Sequence, residues 1–263
     1  MRDRQRQLAI AKKLEPVAED PLLEAGFLLD HITAHPEKEA TDLITRRLSG
    51  EPLQYVLGEW DYWGMTFKVD ERALIPRPDT ELLTSTALKL ISGGERVLDL
   101  CCGSGCIGIS IAASVSVELV SADISRDALS LTEENAERHA VHLTTVESDL
   151  FDRISGTFDL IVCNPPYLSE EEVASMEHSL WFEPIIALYG GKDGLEFYRK
   201  IREKYSDYLR PGGTMLLEIG WLQEKAARDL FRGAEILHDF GNRPRCLIVK
   251  KDDRKTEKTE RTI

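Results

Sequence analysis

The spacing of apolar positions changes twice along the chain, and each change predicts a different kind of structure. Up to about residue 50 the spacing is helical. Leu8, Ile10 and Leu14 lead to Pro16, and Leu22, Leu23, Ala25, Phe27, Leu28, Leu29 and Ile32 form a second group. After Pro36, the set Ala40, Leu43, Ile44 and Leu48 keeps the i, i+3, i+4 rhythm until Gly50-Glu51-Pro52 stops it. Over 53–70, Tyr55, Val56, Trp60, Tyr62 and Trp63 precede Gly64-Met65, and Thr66-Phe67-Lys68-Val69 comes after. Aromatic and β-branched residues on both sides of a glycine predict a β-hairpin. A stiff loop, 74–79, then leads to a helix starting near Glu81, with Asp79 or Thr80 as its candidate N-cap. From about residue 95, short apolar runs alternate with helix-like stretches. The runs are 97–100, 118–123, 143–146, 158–163 and 214–219, with two more near 234–239 and 245–250; the helical stretches include 106–113, 125–138, 193–209 and 221–232. Strands separated by helices predict a doubly wound, mostly parallel α/β sheet.

These changes divide the chain into a helical N-terminal domain (1–52), a hairpin linker (53–72), an α/β domain (73–250) and a charged tail (251–263) expected to be disordered. The helical piece is too small for a robust core of its own and is expected to dock on the larger domain. No apolar run approaches the roughly 18 residues of a membrane span. The charged start, Met1 to Arg6, leads into no apolar signal segment, so the cytoplasm is the expected compartment.

Composition narrows the field in two ways. The 33 basic and 46 acidic side chains leave a net charge of −13, which argues against a broad grip on nucleic-acid phosphates and favours a protein partner. The five cysteines, at 101, 102, 106, 163 and 246, are odd in number and three are crowded together. That pattern suits reduced thiols, and Cys101, Cys102 and Cys106 lack zinc-site spacing, so no metal is expected.

Asp99-Leu100-Cys101-Cys102-Gly103-Ser104-Gly105 lies where the first α/β strand meets its helix. Glycines there permit a tight turn and close approach of a ligand to the main chain, at the sheet edge where such folds bind ligands. No Gly-Lys-Ser/Thr stands there to hold a triphosphate. Asp123 ends the next strand, 18 residues beyond Gly105. A carboxylate there suits the vicinal hydroxyls of a ribose, in NAD or S-adenosylmethionine alike, while Ser125 is the better candidate for helix N-cap. Asp149, with Leu150 beside it, is placed either to read an adenine ring or simply to cap a loop.

Strand 158–163 runs into Asn164-Pro165-Pro166-Tyr167. Two prolines remove two backbone donors and stiffen the loop, so Asn164 Oδ1 and the Pro165 carbonyl can each accept a hydrogen from an NH₂ group. Tyr167 would pack on a flat substrate group. Such a holder orients a poorly nucleophilic amide, or an adenine amine, for methyl transfer. In isolation the same four residues are an ordinary turn.

Together the motifs resemble the release factor glutamine methyltransferases. The matching segments include Gly50-Glu51-Pro52-Leu53-Gln54-Tyr55, Leu74-Ile75-Pro76-Arg77-Pro78-Asp79-Thr80-Glu81, the turn 97–105, Asn164 to Tyr167, Phe182-Glu183-Pro184 and Gly190-Gly191-Lys192-Asp193-Gly194. The resemblance implies a class I, Rossmann-like methyltransferase domain of seven strands. It also implies methyl transfer from S-adenosylmethionine, leaving S-adenosylhomocysteine, to N5 of the glutamine in the Gly-Gly-Gln motif of peptide chain release factors. It maps cofactor contacts onto Cys101, Cys102, Gly103, Ser104, Gly105, Asp123, Asp149, Leu150 and Asn164. Substrate contacts fall on Asn164, Pro165, Pro166 and Tyr167, with no direct binding of nucleic acid. Arg77 and Glu183 are expected to brace a loop. Cys101 departs from the family's opening glycine, and the N-terminal domain looks about one helix short.

Overall fold

The computed structural model describes residues 2–36 and 39–251. Four helices open the chain: α1 (Arg2–Leu14), α2 (Pro21–Ala34), α3 (Ala40–Leu48) and α4 (Leu53–Leu57). Asp20 starts α2 by accepting from the Leu23 N–H at 3.0 Å. Leu14, Ala25, Leu28, Leu43 and Val56 close a small core of their own. Arg47, buried on α3, pairs with Glu24 of α2 at 2.7 Å and donates to the Val17 carbonyl at 2.8 Å.

Helix α4 falls in the stretch that the sequence pattern predicts as hairpin. Leu53, Tyr55, Val56 and Leu57 are all buried, and left-handed Gly58 (φ 80°) ends the turn. A short apolar run has no period that separates helix from strand, so burial on both sides decided it. The hairpin itself is shorter, β1 (Glu59–Tyr62) against β2 (Met65–Lys68). Trp63 and Gly64 turn it with positive φ at both positions, which matches the twist of paired strands.

The remaining helices are α5 (Glu81–Leu90), α6 (Cys106–Ser114), α7 (Arg126–Arg138), α8 (Glu170–Ala174), α9 (Glu196–Tyr208) and α10 (Glu224–Leu230). The strands are β3 (Arg96–Leu100), β4 (Glu118–Asp123), β5 (Leu143–Glu147), β6 (Phe158–Cys163), β7 (Leu209–Glu218), β8 (Glu235–His238) and β9 (Pro244–Lys250). They form one seven-stranded sheet in the order β5-β4-β3-β6-β7-β9-β8, parallel except for β9, which is antiparallel to both neighbours. Alternate residues of each strand face opposite layers. Leu98, Leu100 and Ile161 join one core with Tyr198, while Val97, Leu160 and Val162 join the other with Leu83 and Ile107. Asn135 of α7 grips the hairpin, accepting from the Lys68 N–H at 2.7 Å and donating to its carbonyl at 3.1 Å.

Strand order reverses between β3 and β6, where Leu100 pairs with Cys163. The crevice of a doubly wound sheet opens at that reversal, beyond the carboxyl ends of the strands. Both the glycine turn and Asn164 therefore start from its two lips. The charge pattern places the start of the tail at Lys251, but Lys251 is tied down, its N–H bonded to the Gly213 carbonyl at 3.1 Å and its Nζ to that of Leu209 at 2.7 Å. The rest of the expected tail lies outside the described residues. Among the described residues, no helix is long and apolar enough to cross a membrane.

Candidate active site

A cavity of about 240 Å³ fills the crevice. The turn Cys101 to Ser104, Asp123, the pair Asp149-Leu150, and Asn164 with Pro166 all line it. Gly105, Pro165 and Tyr167 are not on this wall. Gly105 has φ 78° and opens α6, where a Cβ would lie 2.8 Å from Ile109 and Thr132; its place is explained by packing.

The glycine turn is held from beneath. Asp99 is fully buried in β3, and its Oδ2 accepts from the Gly108 N–H at 3.0 Å, fixing the first turn of α6. Burial pushes its carboxyl up to about 7, against the pull of that hydrogen bond. Asp123 accepts from the Gly103 N–H at 3.0 Å through Oδ2 and from the Ser125 N–H at 2.9 Å through Oδ1. Each oxygen keeps a second lone pair for a ligand hydroxyl. Burial raises this carboxyl too. Ser125 caps α7, accepting from the Ala128 N–H at 3.2 Å, which leaves Asp123 clear of that task. Gly103 has φ 55°, and a Cβ there would meet only Ala73, at 3.8 Å, so the protein does not crowd this stretch of main chain.

Cys101 adopts φ 60° with a side chain attached. Its thiol is held protonated by contact with Cys163 and by burial. Burial likewise pushes the Cys106 thiol up to about 12. Elsewhere, ligand atoms of His31, His35 and Glu59 approach within 4.8 Å of one another. Glu59 Oε2 there accepts from Arg138 at 2.8 Å, and that guanidinium opposes a second cation.

The loop after β6 is braced on several sides. The Tyr167 carbonyl accepts from Gln223 Nε2 at 2.8 Å. Gly190 and Gly194 lie so close to it that a Cβ would sit 2.6 Å from Tyr167 Cα or 2.4 Å from the Tyr167 carbonyl oxygen, so both must remain glycine. Glu183, only 5 % exposed, pairs with Arg77 and accepts from the Ile75 N–H at 3.0 Å, tying its loop to the segment before α5.

Thr80, a candidate N-cap by sequence, makes no such bond; its backbone is already helical, in the single 3₁₀ turn Pro78–Thr80. Its hydroxyl instead accepts from Asn164 Nδ2 at 3.4 Å, on the cavity wall. Phe197 and Lys200 of α9 also line the cavity, and no local motif marks them.

The comparisons with known proteins agree with this architecture. Residues 78–181 match the family model "Methyltransferase small domain". A release factor glutamine methyltransferase from Streptococcus pneumoniae is 40 % identical over 78 % of this chain and 75 % of its own length. The chain belongs to the release factor glutamine methyltransferase family. A second member, from Lactococcus lactis, is 38 % identical over 86 % of this chain and 87 % of its own. The class I methyltransferase fold is also that of a Pyrococcus furiosus methyltransferase. This solved structure has a TM-score of 0.55 at 17 % identity and covers 80 % of this chain and 98 % of its own. A Thermus thermophilus 16S rRNA N2 G1207 methyltransferase, solved with AdoMet and guanosine, has a TM-score of 0.54 at 20 % identity, covering 74 % of this chain and 50 % of its own.

Proposed function

We propose that this chain transfers the methyl group of S-adenosylmethionine to the side-chain amide nitrogen of the glutamine in the Gly-Gly-Gln motif of peptide chain release factors. Family membership supports the reaction class. The observation that carries the reading is Asn164 on the cavity wall with its Nδ2 engaged by Thr80, which leaves Oδ1 to accept from an incoming NH₂.

The residues present fit the cofactor. Asp123 keeps lone pairs for two ribose hydroxyls, the main chain around Gly103 is uncrowded, and Asp149-Leu150 borders the same cavity. When bound, S-adenosylmethionine supplies an electrophilic methyl on a sulfonium sulfur. Asn164 Oδ1 holds the substrate NH₂, and Pro165 and Tyr167, which do not line the cavity, stiffen the loop that presents it. With the cofactor held by Asp123, the Gly103 main chain and Asp149-Leu150, the substrate nitrogen's lone pair would take the methyl, and the electron pair of the C–S bond would remain with the departing sulfur. The nitrogen then sheds one of its protons. Orientation is the main contribution of these residues, with ~7–11 kcal/mol as the ceiling for ideal positioning.

The test incubates the protein with isotopically labelled S-adenosylmethionine and a release factor, and then examines the peptides by mass spectrometry. The expected result is one added methyl on the glutamine of Gly-Gly-Gln. Label only in DNA, or on another residue, overturns the reading.

A further inference from the structure

The sheet register places a buried acid beside the substrate-holding loop. Cys163 of β6 pairs with Leu217 of β7, so Asn164 and Glu218, the next residue on each, are neighbours at the carboxyl edge. Glu218 is 2 % exposed. The hydroxyls of Thr80 and Tyr167 face its carboxyl group and favour its charged form, and its Oε2 has no partner among the described residues. Arg245, whose charge favours the ionised form of Glu218, is itself paired with Asp79 at 2.7 Å. A buried acid without an ion pair of its own is costly, and an apolar side chain of the same size would avoid that cost.

Hydrogen-bond direction suggests what the acid is for. A threonine hydroxyl has one proton and two lone pairs. If that proton goes to Glu218, only lone pairs face Asn164, and Asn164 must turn its NH₂ toward Thr80. Asn164 Nδ2 does donate to Thr80 Oγ1. Without the acid, the Thr80 proton is free to point at Asn164. The carboxamide can then flip and consume Oδ1, the atom required for the substrate. We infer that Glu218 is a positioning residue for methyl transfer: by accepting from Thr80 it fixes the orientation of the Asn164 carboxamide, and through Tyr167 it steadies the same loop. This rests on the reading that Asn164 holds the substrate NH₂.

The test measures kcat, KM for release factor and the Kd of S-adenosylhomocysteine for wild type, Glu218→Leu, Thr80→Val and the double variant. Circular dichroism establishes that each is folded. Each single change is expected to lower kcat about ten- to a hundred-fold with little change in the Kd for S-adenosylhomocysteine. The double variant is expected to lose no more than the worse single, because both break one chain of bonds. An unaltered kcat in a folded variant, losses that multiply, or an equal loss of cofactor affinity overturns the inference. Should Glu218→Leu not fold, Thr80→Val decides by its kcat and its cofactor Kd alone. Wild-type protein that methylates another NH₂-bearing substrate defeats the proposed function but not this inference, which the same variants then test on that substrate.

Discussion

The backbone N–H of Ile75 donates to Glu183 Oε2 at 3.0 Å, across 108 positions of sequence. The other oxygen of Glu183 pairs with Arg77. One carboxylate thus pins the segment between hairpin and α5 against the loop beyond Asn164. Glu183→Ala would leave a buried N–H and a partly buried guanidinium without their acceptor. It is expected to destabilise the protein by about 2–4 kcal/mol. Urea unfolding checks this, and a change under about 1 kcal/mol refutes it.

Asn164 and Asp123 are expected to fail in opposite ways. Asn164→Ala should nearly abolish kcat while S-adenosylhomocysteine affinity changes little, because the task proposed for the carboxamide is to hold the substrate nitrogen. Asp123→Ala should weaken cofactor affinity by about ten- to a hundred-fold, since it removes the acceptors proposed for the ribose and the Gly103 bond together. Calorimetry and steady-state kinetics separate the two. Equal loss of both quantities in Asn164→Ala would assign the loop mainly to the cofactor.

Asp99 and Glu218 set a pH dependence of stability. Burial pushes both folded carboxyls up to about 7, whereas the unfolded chain releases those protons near the ordinary carboxylate range. Between those limits the folded state binds more protons, so stability falls as pH rises from about 4 to about 7 and levels off above that. Each group contributes on the order of 3 kcal/mol across that window. Urea unfolding at steps across the upper half of that window and beyond it checks the slope. Asp99→Asn and Glu218→Gln should each flatten it, and an unchanged slope in both would reject the assignment.

Cys101 holds φ 60°, a region that L side chains adopt at a cost of about 1 kcal/mol and glycine adopts freely. Cys101→Gly is expected to raise stability by about 0.5–1 kcal/mol without loss of cofactor affinity. A lower melting temperature would show that the thiol contact with Cys163 outweighs the backbone strain.

By itself, the sequence determined the alternation of strands and helices, the turn at Gly103, the acid ending β4 and the stiff loop after Cys163. These features are local: period, glycine, proline and strand ends are written in consecutive residues. The same reasoning fails at Leu53–Leu57, where burial rather than period chose helix, and at Thr80, which is no cap. Only the tertiary structure brought Thr80, Asn164 and Glu218 together: the register of β6 and β7 sets Asn164 beside Glu218, and the turn before α5 brings Thr80 to Asn164. The cost of burying a carboxyl depends on what surrounds it, and nothing near Glu218 in sequence reveals that its neighbours are Thr80 and Tyr167.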